Sequence, residues 1–346
     1  MNRRGLILIV ALIFILACNA SGGAPSQTPN LLATLSASTP LSGIAATSDN
    51  AAQTPNPSST LTVPTSSSTT QPTGKIVYTC QIFKVQASNQ ICIINADGTG
   101  FRRLTTDNNK QHYYPSLAPD GKSVVYAAFR EDNIYEIHEL DIATGSVKQL
   151  TNKIGILSGP EISPDGKSII FKHSSINNVR NMIWIMNRDG QNAENIARAA
   201  IGWDPTWSPD GKTILFASDM DGAVQLYTIR VNGKELHKIS NLPAIRGRSD
   251  WSPDGQYIVT YSGEPWKREV YIMNADGTNA RVLSPAGGNS QGPSFSPDGQ
   301  WVAFTSYYDK FGDDHGCEIY ILRVDGTDLR RLTNNDYCDY QPRWGP

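Results

Sequence analysis

The feature that most constrains this chain is a tetrapeptide, Ser-Pro-Asp-Gly, that returns at an almost fixed interval. Its copies read APDGK at Asp120, SPDGK at Asp165 and Asp210, and SPDGQ at Asp254 and Asp298, so successive aspartates stand 45, 45, 44 and 44 residues apart. Periods of about 40 to 45 residues belong to four-stranded propeller blades. A second signal falls between the copies: NADG at Asp97, ATG at Gly145, NRDG at Asp189, VNG at Gly233, NADG at Asp276 and VDG at Asp325. Each unit therefore carries two tight turns.

The residues between the turns have strand character. SVVYAA, SIIFKH, TILFAS, YIVTYS and WVAFTS follow the first turn; ICIIN, IWIMN, LYTIR, VYIMN and IYILR precede the second. They are rich in β-branched and aromatic residues, as half-buried strands are. Short segments such as FRRLT, VKQLT and LRRLT supply an outer strand, and the stretch ahead of each tetrapeptide supplies an inner one. At the two ends the pattern is split, because DYQPRWGP repeats the opening of a blade while GKIVYTC repeats its continuation. A sixth blade then takes its inner strand from 340–344 and its other three from 75–105. The predicted fold is all-β: a six-bladed β-propeller of four-stranded antiparallel blades over 74–346, closed by N- and C-terminal strands in one blade. Such closure removes exposed sheet edges.

The repeated pattern PxWSPDGKxIxF followed by IYxMNxDGxxxxxLT resembles the WD40-like repeat of the C-terminal propeller of TolB, and is similar to repeats in the propellers of prolyl oligopeptidase-type peptidases. The resemblance implies the propeller fold and, on the TolB side, an envelope assembly partner. TolB carries an ordered α/β domain ahead of its propeller, where this chain has a low-complexity segment. The peptidases add an α/β-hydrolase domain with a G-x-S-x-G elbow, and the sequence contains no such motif.

The first residues, MNRRGLILIVALIFILACNASGG, combine two arginines, a short apolar run and a cysteine followed by small residues. This is the arrangement of a signal peptide, and its end resembles a bacterial lipoprotein box in which Cys18 becomes lipidated. Segment 1–18 is accordingly read as a lipoprotein signal, with an ordinary cleaved signal as the alternative. Segment 19–73, dominated by Ser, Thr, Pro and Ala, cannot bury enough apolar surface to order itself and is expected to be a disordered linker. Coil statistics place the propeller about 40 Å from the anchor. The expected location is outside the cytoplasm, anchored to the cell membrane and facing the periplasm or cell exterior.

Thirty basic against thirty-two acidic residues give a formal charge of −2, with no basic run of the kind nucleic acid requires. Four cysteines remain beyond Cys18. In an exported protein an even count reads as disulfides, and proximity favours Cys80 with Cys92 and Cys317 with Cys338, buried free thiols being the alternative. The histidines His112, His138, His173, His237 and His315 show no zinc-ligand spacing. One loop, with Asp309, Asp313, Asp314 and Glu318, has the oxygen density a calcium ion would need, against the plainer reading of a solvated insertion. No cofactor is assigned.

In the tetrapeptide, proline presets φ, aspartate suits the following position and glycine accepts left-handed geometry, so those aspartates read as corners and not as catalysts. Both turn sets emerge on one face, and the longer, variable loops emerge on the other, where recognition is usually found. The candidate ligand-binding residues there are Tyr114, Trp203, Asp204, Arg246, Arg248, Trp266 and Tyr340, expected to ring the channel mouth; inter-blade packing is the competing role for each. The reading is a monomeric, non-catalytic binding module for a protein, peptide or glycan. Its alternatives are a hydrolase or lyase acting in the channel, which two carboxylates with a histidine or arginine at the mouth would support, and a TolB-type assembly partner.

Overall fold

The computed structural model describes residues 71–82, 88–131, 134–175, 178–313 and 316–346. Cys18 and all but the last three residues of the 19–73 linker lie outside the described residues, as do Asp314 and His315. Six four-stranded antiparallel sheets follow one another along the chain. Blades 1 to 5 occupy 112–149, 156–195, 203–238, 250–282 and 291–331. Their inner strands are His112–Leu117, Ile156–Ile162, Trp203–Trp207, Asp250–Trp251 and Gln291–Phe295.

Blade 6 is assembled from both ends of the propeller segment. Its inner strand Asp339–Gly345 pairs with Lys75–Gln81, which pairs in turn with Asn89–Asn95 and Arg102–Arg103. The register sets Lys75 opposite Gly345 and Ile76 opposite Trp344. The expected closure is therefore present.

Strand alternation explains how the ring holds together. In Thr213–Ser218, Ile214 and Phe216 pack against blade 2 with Ile170 and Ile183. Leu215 and Ala217 pack against blade 4 with Ile258 and Met273. Successive side chains of a strand point to opposite faces, so one second strand serves two neighbours. The same division recurs around the ring and yields six apolar interfaces, one between each pair of adjacent blades. Trp207 and Trp344 of the inner strands are buried in these layers, as packing required.

The repeated corner is a hydrogen-bonded device. In the four Ser-Pro-Asp-Gly copies the serine hydroxyl donates to the aspartate Oδ1 at 2.5 to 2.6 Å. The same oxygen accepts the backbone N–H two residues on, at 3.0 to 3.1 Å. The serine Oγ meanwhile accepts the first N–H of the next strand, as from Thr213 at 3.0 Å. Gly211 has φ of 68°, which a side chain would strain. Successive corners also touch: a Cβ placed on Gly211, Gly255 or Gly299 would lie 3.3 to 3.9 Å from the corner proline of the preceding blade.

Both expected disulfides form, Cys80–Cys92 and Cys317–Cys338, with Cα separations of 5.8 and 4.5 Å. The second ties blade 5 to the closing strand, whose Asp339 N–H donates to Cys317 O.

Candidate functional site: the axial channel and its mouth

Each inner strand is interrupted near its start. At the six equivalent positions stand Tyr114, Gly159, Asp204, Arg248, Gly292 and Gln341, all with positive φ between 28° and 61°. A proline follows in every blade but the fourth, where Ser249 takes its place. Pairing with the second strand shifts register here in blades 1, 2, 3, 5 and 6. Left-handed backbone at six positions, four of them not glycine, repeated by blade, marks a built feature of the channel wall.

Two residues further on comes a second ring: Ser116, Glu161, Thr206, Asp250, Ser294 and Arg343. Arg343 sits at its centre, 3.3 Å from Glu161 and 3.3 Å from Asp250, and donates to Ser249 O through both terminal nitrogens. Each carboxylate is also bonded by the next blade. Glu161 accepts the Thr206 hydroxyl at 2.9 Å and the Trp207 N–H at 3.0 Å; Asp250 accepts the Ser294 hydroxyl at 2.7 Å and the Phe295 N–H at 3.0 Å. Burial alone would lower the pKa of Arg343, but Asp250, Glu161 and Asp204 hold it above the usual arginine value. Burial raises that of Glu161. This is the two-carboxylate and arginine cluster that would have favoured chemistry, yet it lies deep in the channel, with every member bonded.

Above it Arg248 reaches across the axis from blade 4. Its Nη2 donates to Pro115 O of blade 1 and Gln341 O of blade 6, each at 3.2 Å. The guanidinium lies 5.7 Å over the Tyr114 ring, and Asp204 Oδ2 accepts the Arg248 backbone N–H at 3.1 Å. Burial and the repulsion of Arg343 bring the Arg248 pKa down to about 10. Between the two arginines remains a cavity of about 10 Å³ lined by Gly159, Pro160, Glu161, Asp204, Pro205, Arg248 and Arg343, room for about one water. The channel is plugged by its own side chains.

At the level of the mouth stands the fifth residue of each second strand: Ala127, Lys172, Ala217, Tyr261, Thr305 and Thr79, of which Lys172 and Tyr261 are half-buried and the other four are buried. Thr79 donates to Gln341 Oε1. Lys172 stands opposite Ser158, next to the Gly159 notch, and Thr305 opposite Gln291, next to the Gly292 notch. Burial lowers the Lys172 pKa, with Asp204 opposing, and raises that of Tyr261 to about 12.

Of the seven residues expected at the mouth, Tyr114, Asp204 and Arg248 converge on the axis. Trp203 packs into the interface of blades 3 and 4, its Nε1 donating to Arg246 O, and Arg246 pairs with Glu264 at the rim. Trp266 and Tyr340 belong elsewhere: they pack on Tyr307 and the Cys317–Cys338 disulfide in a satellite cluster. Their bulk is apolar surface that the disulfide region buries, which corrects the expectation that they ring the channel. Glu161, Lys172, Asp250, Tyr261 and Arg343 were not expected there. Their signal was positional, since each occupies a fixed offset from a corner aspartate or from the closing strand.

Three of the histidines are packing groups, His173 stacked on Trp184 at 4.0 Å and His112 and His138 against Tyr126, while His237 is exposed on an outer strand. In the candidate calcium loop Asp309 accepts from Tyr320 and Arg331, while Glu318 accepts from Thr333 and Asn335. Among the described residues no three histidine, cysteine or acidic side chains gather as metal ligands would.

The comparisons with known proteins agree with this architecture. TolB from Acinetobacter baumannii is 24% identical, covering 80% of this chain and 68% of that one with a TM-score of 0.68. Hydrazine synthase of Kuenenia stuttgartiensis is 15% identical over 78% of this chain and 46% of that one, with a TM-score of 0.62. Oligogalacturonate lyase from Vibrio parahaemolyticus is 19% identical over 67% and 71%, with a TM-score of 0.50. Proteins of such different activity share this fold, so function must be argued from the site. Among proteins with curated descriptions none matches the chain. The family described as the TolB beta propeller domain matches residues 67–312; with its six closed blades and repeated Pro-Asp-Gly corner, this chain belongs to the TolB β-propeller family.

Proposed function

We propose that the protein is a non-catalytic binding module, held at the cell envelope through Cys18 and presenting the variable-loop mouth of its propeller to a protein or peptide. The observation that carries this reading is the sealed axis. Arg248 and Arg343 fill the channel, and the cavity between them is too small for a substrate. General acid or base work needs a carboxylate within hydrogen-bond reach of a reacting group, and here Glu161 and Asp250 are engaged by Arg343 and by neighbouring backbone. A ligand is then received above the plug, on a surface of blade-by-blade varying side chains held by a rigid scaffold.

The lyase reading has one point in its favour, the carboxylate and arginine cluster itself. It requires Arg248 to leave the axis.

Photo-crosslinking tests the binding reading. A benzophenone amino acid placed at Tyr261 or Arg246 of the full chain, expressed in a bacterial envelope, is expected to give discrete adducts, while the same probe at Gln256 on the corner face gives none. Adducts from the corner face alone would overturn it. The anchor is tested separately: labelled palmitate is expected in the wild type and lost on Cys18→Ser.

A further inference from the structure

The mouth holds more positive charge than it balances. Lys172, Arg248 and Arg343 surround Asp204, and Arg248, Arg268 and Arg246 surround Tyr261. Arg246 is paired with Glu264, which leaves Asp204 as the carboxylate facing Lys172 and Arg248. The deeper carboxylates Glu161 and Asp250 are committed to Arg343. The Lys172 ammonium has no ion pair and no hydrogen bond among the described residues, although it is half-buried. Arg248, 7% exposed, has its Nε buried and without an acceptor, and the buried Nε of Arg268 lacks one as well. Thr305, 1% exposed, has an unpartnered hydroxyl, and Asn289 a buried unpartnered Oδ1. Leaving such groups unmet costs about 1 to 3 kcal/mol each, and they fall on two sides of the axis, Lys172 on blade 2 and Arg268, Asn289 and Thr305 at blades 4 and 5.

Their placement follows the two glycines of the axial ring. Gly159 and Gly292 belong to blades 2 and 5, on opposite sides of the axis, and leave notches where the other blades project side chains. Lys172 stands over the first notch. Thr305 stands over the second, beside Gln291, which accepts from Arg268 at 2.7 Å. Arg248 lies between them, its Cδ 3.7 Å from where a Cβ of residue 292 would be.

Resting on the binding reading above, we propose that the mouth takes an extended acidic peptide running from the blade 2 notch to the blade 5 notch. One carboxylate meets Lys172, a second meets Arg268 and Thr305, and a backbone N–H of the peptide satisfies Asn289. A peptide fits better than a sugar chain because the buried Asn289 Oδ1 needs an N–H, which a peptide backbone supplies, and because two of the aromatic rings near the axis are already engaged. Tyr114 is covered by Arg248, and Trp203 is turned into the blade 3 and 4 interface.

The test is selection on the full chain from a displayed library of random heptapeptides at low salt, followed by calorimetry of synthetic peptides. Enriched sequences are expected to carry more Asp and Glu than the starting library, and to weaken as salt screens the pairs. Affinity is expected to fall about tenfold on Lys172→Met, to return with Lys172→Arg, and to be untouched by Lys122→Met on the corner face. Replacing the peptide's Asp and Glu by Asn and Gln is expected to reproduce the loss. Peptides that crosslink at Tyr261 but show no acidic preference would overturn the carboxylate assignment and leave the binding reading standing. Enriched peptides that crosslink only on the corner face, or no enrichment at all, would overturn the proposal, and the former would take the binding reading with it. Oligogalacturonate binding with the same Lys172 dependence, in the absence of acidic peptides, would replace the peptide with a glycan.

Discussion

At the scale of single residues, repeated aspartates and solitary ones have different work. Asp165 and Asp210 sit exposed at their corners, and hydrogen bonds from serine and backbone hold their carboxyls below the usual range. Asp339 is the contrary case. It is 1% exposed at the start of the closing strand, and burial, with Glu318 nearby, raises its pKa well above the ordinary value. The groups facing it are Glu318, Tyr78, Asn335 and Thr333, none of them a cation. An acid whose folded pKa is raised binds its proton more tightly when folded, so its contribution is complete below the unfolded pKa and is lost as pH climbs through the folded one. Stability is therefore expected to fall as pH rises from about 4. Asp339→Asn, which can still accept from Asn335, is expected to flatten that fall and to add about 1 kcal/mol at neutral pH, or ~2–4 °C in Tm. Thermal scans of both proteins between pH 4 and 8 check this; parallel curves would show that Asp339 does not titrate as its burial implies.

At the scale of elements, the blade was legible because turn chemistry and strand alternation agree at every repeat. TILFAS needs only period two to face both neighbours, and in five blades a hydroxyl after the outer strand accepts an N–H of the third strand: Thr105, Thr151, Ser240, Ser284 and Thr333, the last from Ile319 at 2.9 Å while donating to Glu318. The site was less legible. Arg248 and Pro115 lie 133 residues apart and meet only because opposite blades converge on the axis; periodicity gives a residue's blade, not its depth along the channel. Bulk in a variable loop was a poor guide, for Trp266 and Tyr340 follow the apolar surface of the Cys317–Cys338 bridge. That bridge joins the third strand of blade 5 to the closing strand, whose Cys338 O accepts the Gln81 N–H at 2.9 Å. A loop of 21 residues corresponds to about 3 kcal/mol of chain entropy in the unfolded state. Replacing both cysteines by serine is expected to lower the unfolding free energy from urea titration by that much, with a correspondingly lower midpoint, and to speed amide exchange in 339–345 and 75–81 before other strands. An unchanged midpoint with uniform exchange would mean that apolar packing alone secures the closure.

At the scale of the whole ring, the chain is cut at one of its own corners. Trp344-Gly345-Pro346 and Gly74-Lys75 read as the two halves of the Trp-Ser-Pro-Asp-Gly-Lys corner found in blade 3, and space agrees with sequence. A Cβ on Gly121 of blade 1 would lie 3.0 Å from Pro346 O, so Pro346 lies against Gly121 as Pro164, Pro209 and Pro253 lie against Gly211, Gly255 and Gly299. Gly74 in turn lies against Gly345 O, and Trp344 Nε1 donates to Thr73 O at 2.8 Å. The position of the cut is then a matter of connectivity alone, since six interfaces of the same kind hold the ring wherever it is opened. Joining Pro346 to Lys75 through Asp-Gly, and opening the chain between Pro253 and Asp254, is expected to give a folded propeller. Its unfolding free energy should stay within about 1 kcal/mol of the parent, because surface changes outside the core are small. Deleting 339–346 is expected to do the opposite. It bares the edge of Lys75–Gln81 and removes Arg343 from between Glu161 and Asp250, a loss of about 3 to 5 kcal/mol for a buried pair left without its partner. Size-exclusion chromatography and urea titration of the two chains, side by side, separate the cases. A truncated chain that stays monomeric and unfolds at the parental midpoint would show that the ring does not depend on its sixth inner strand.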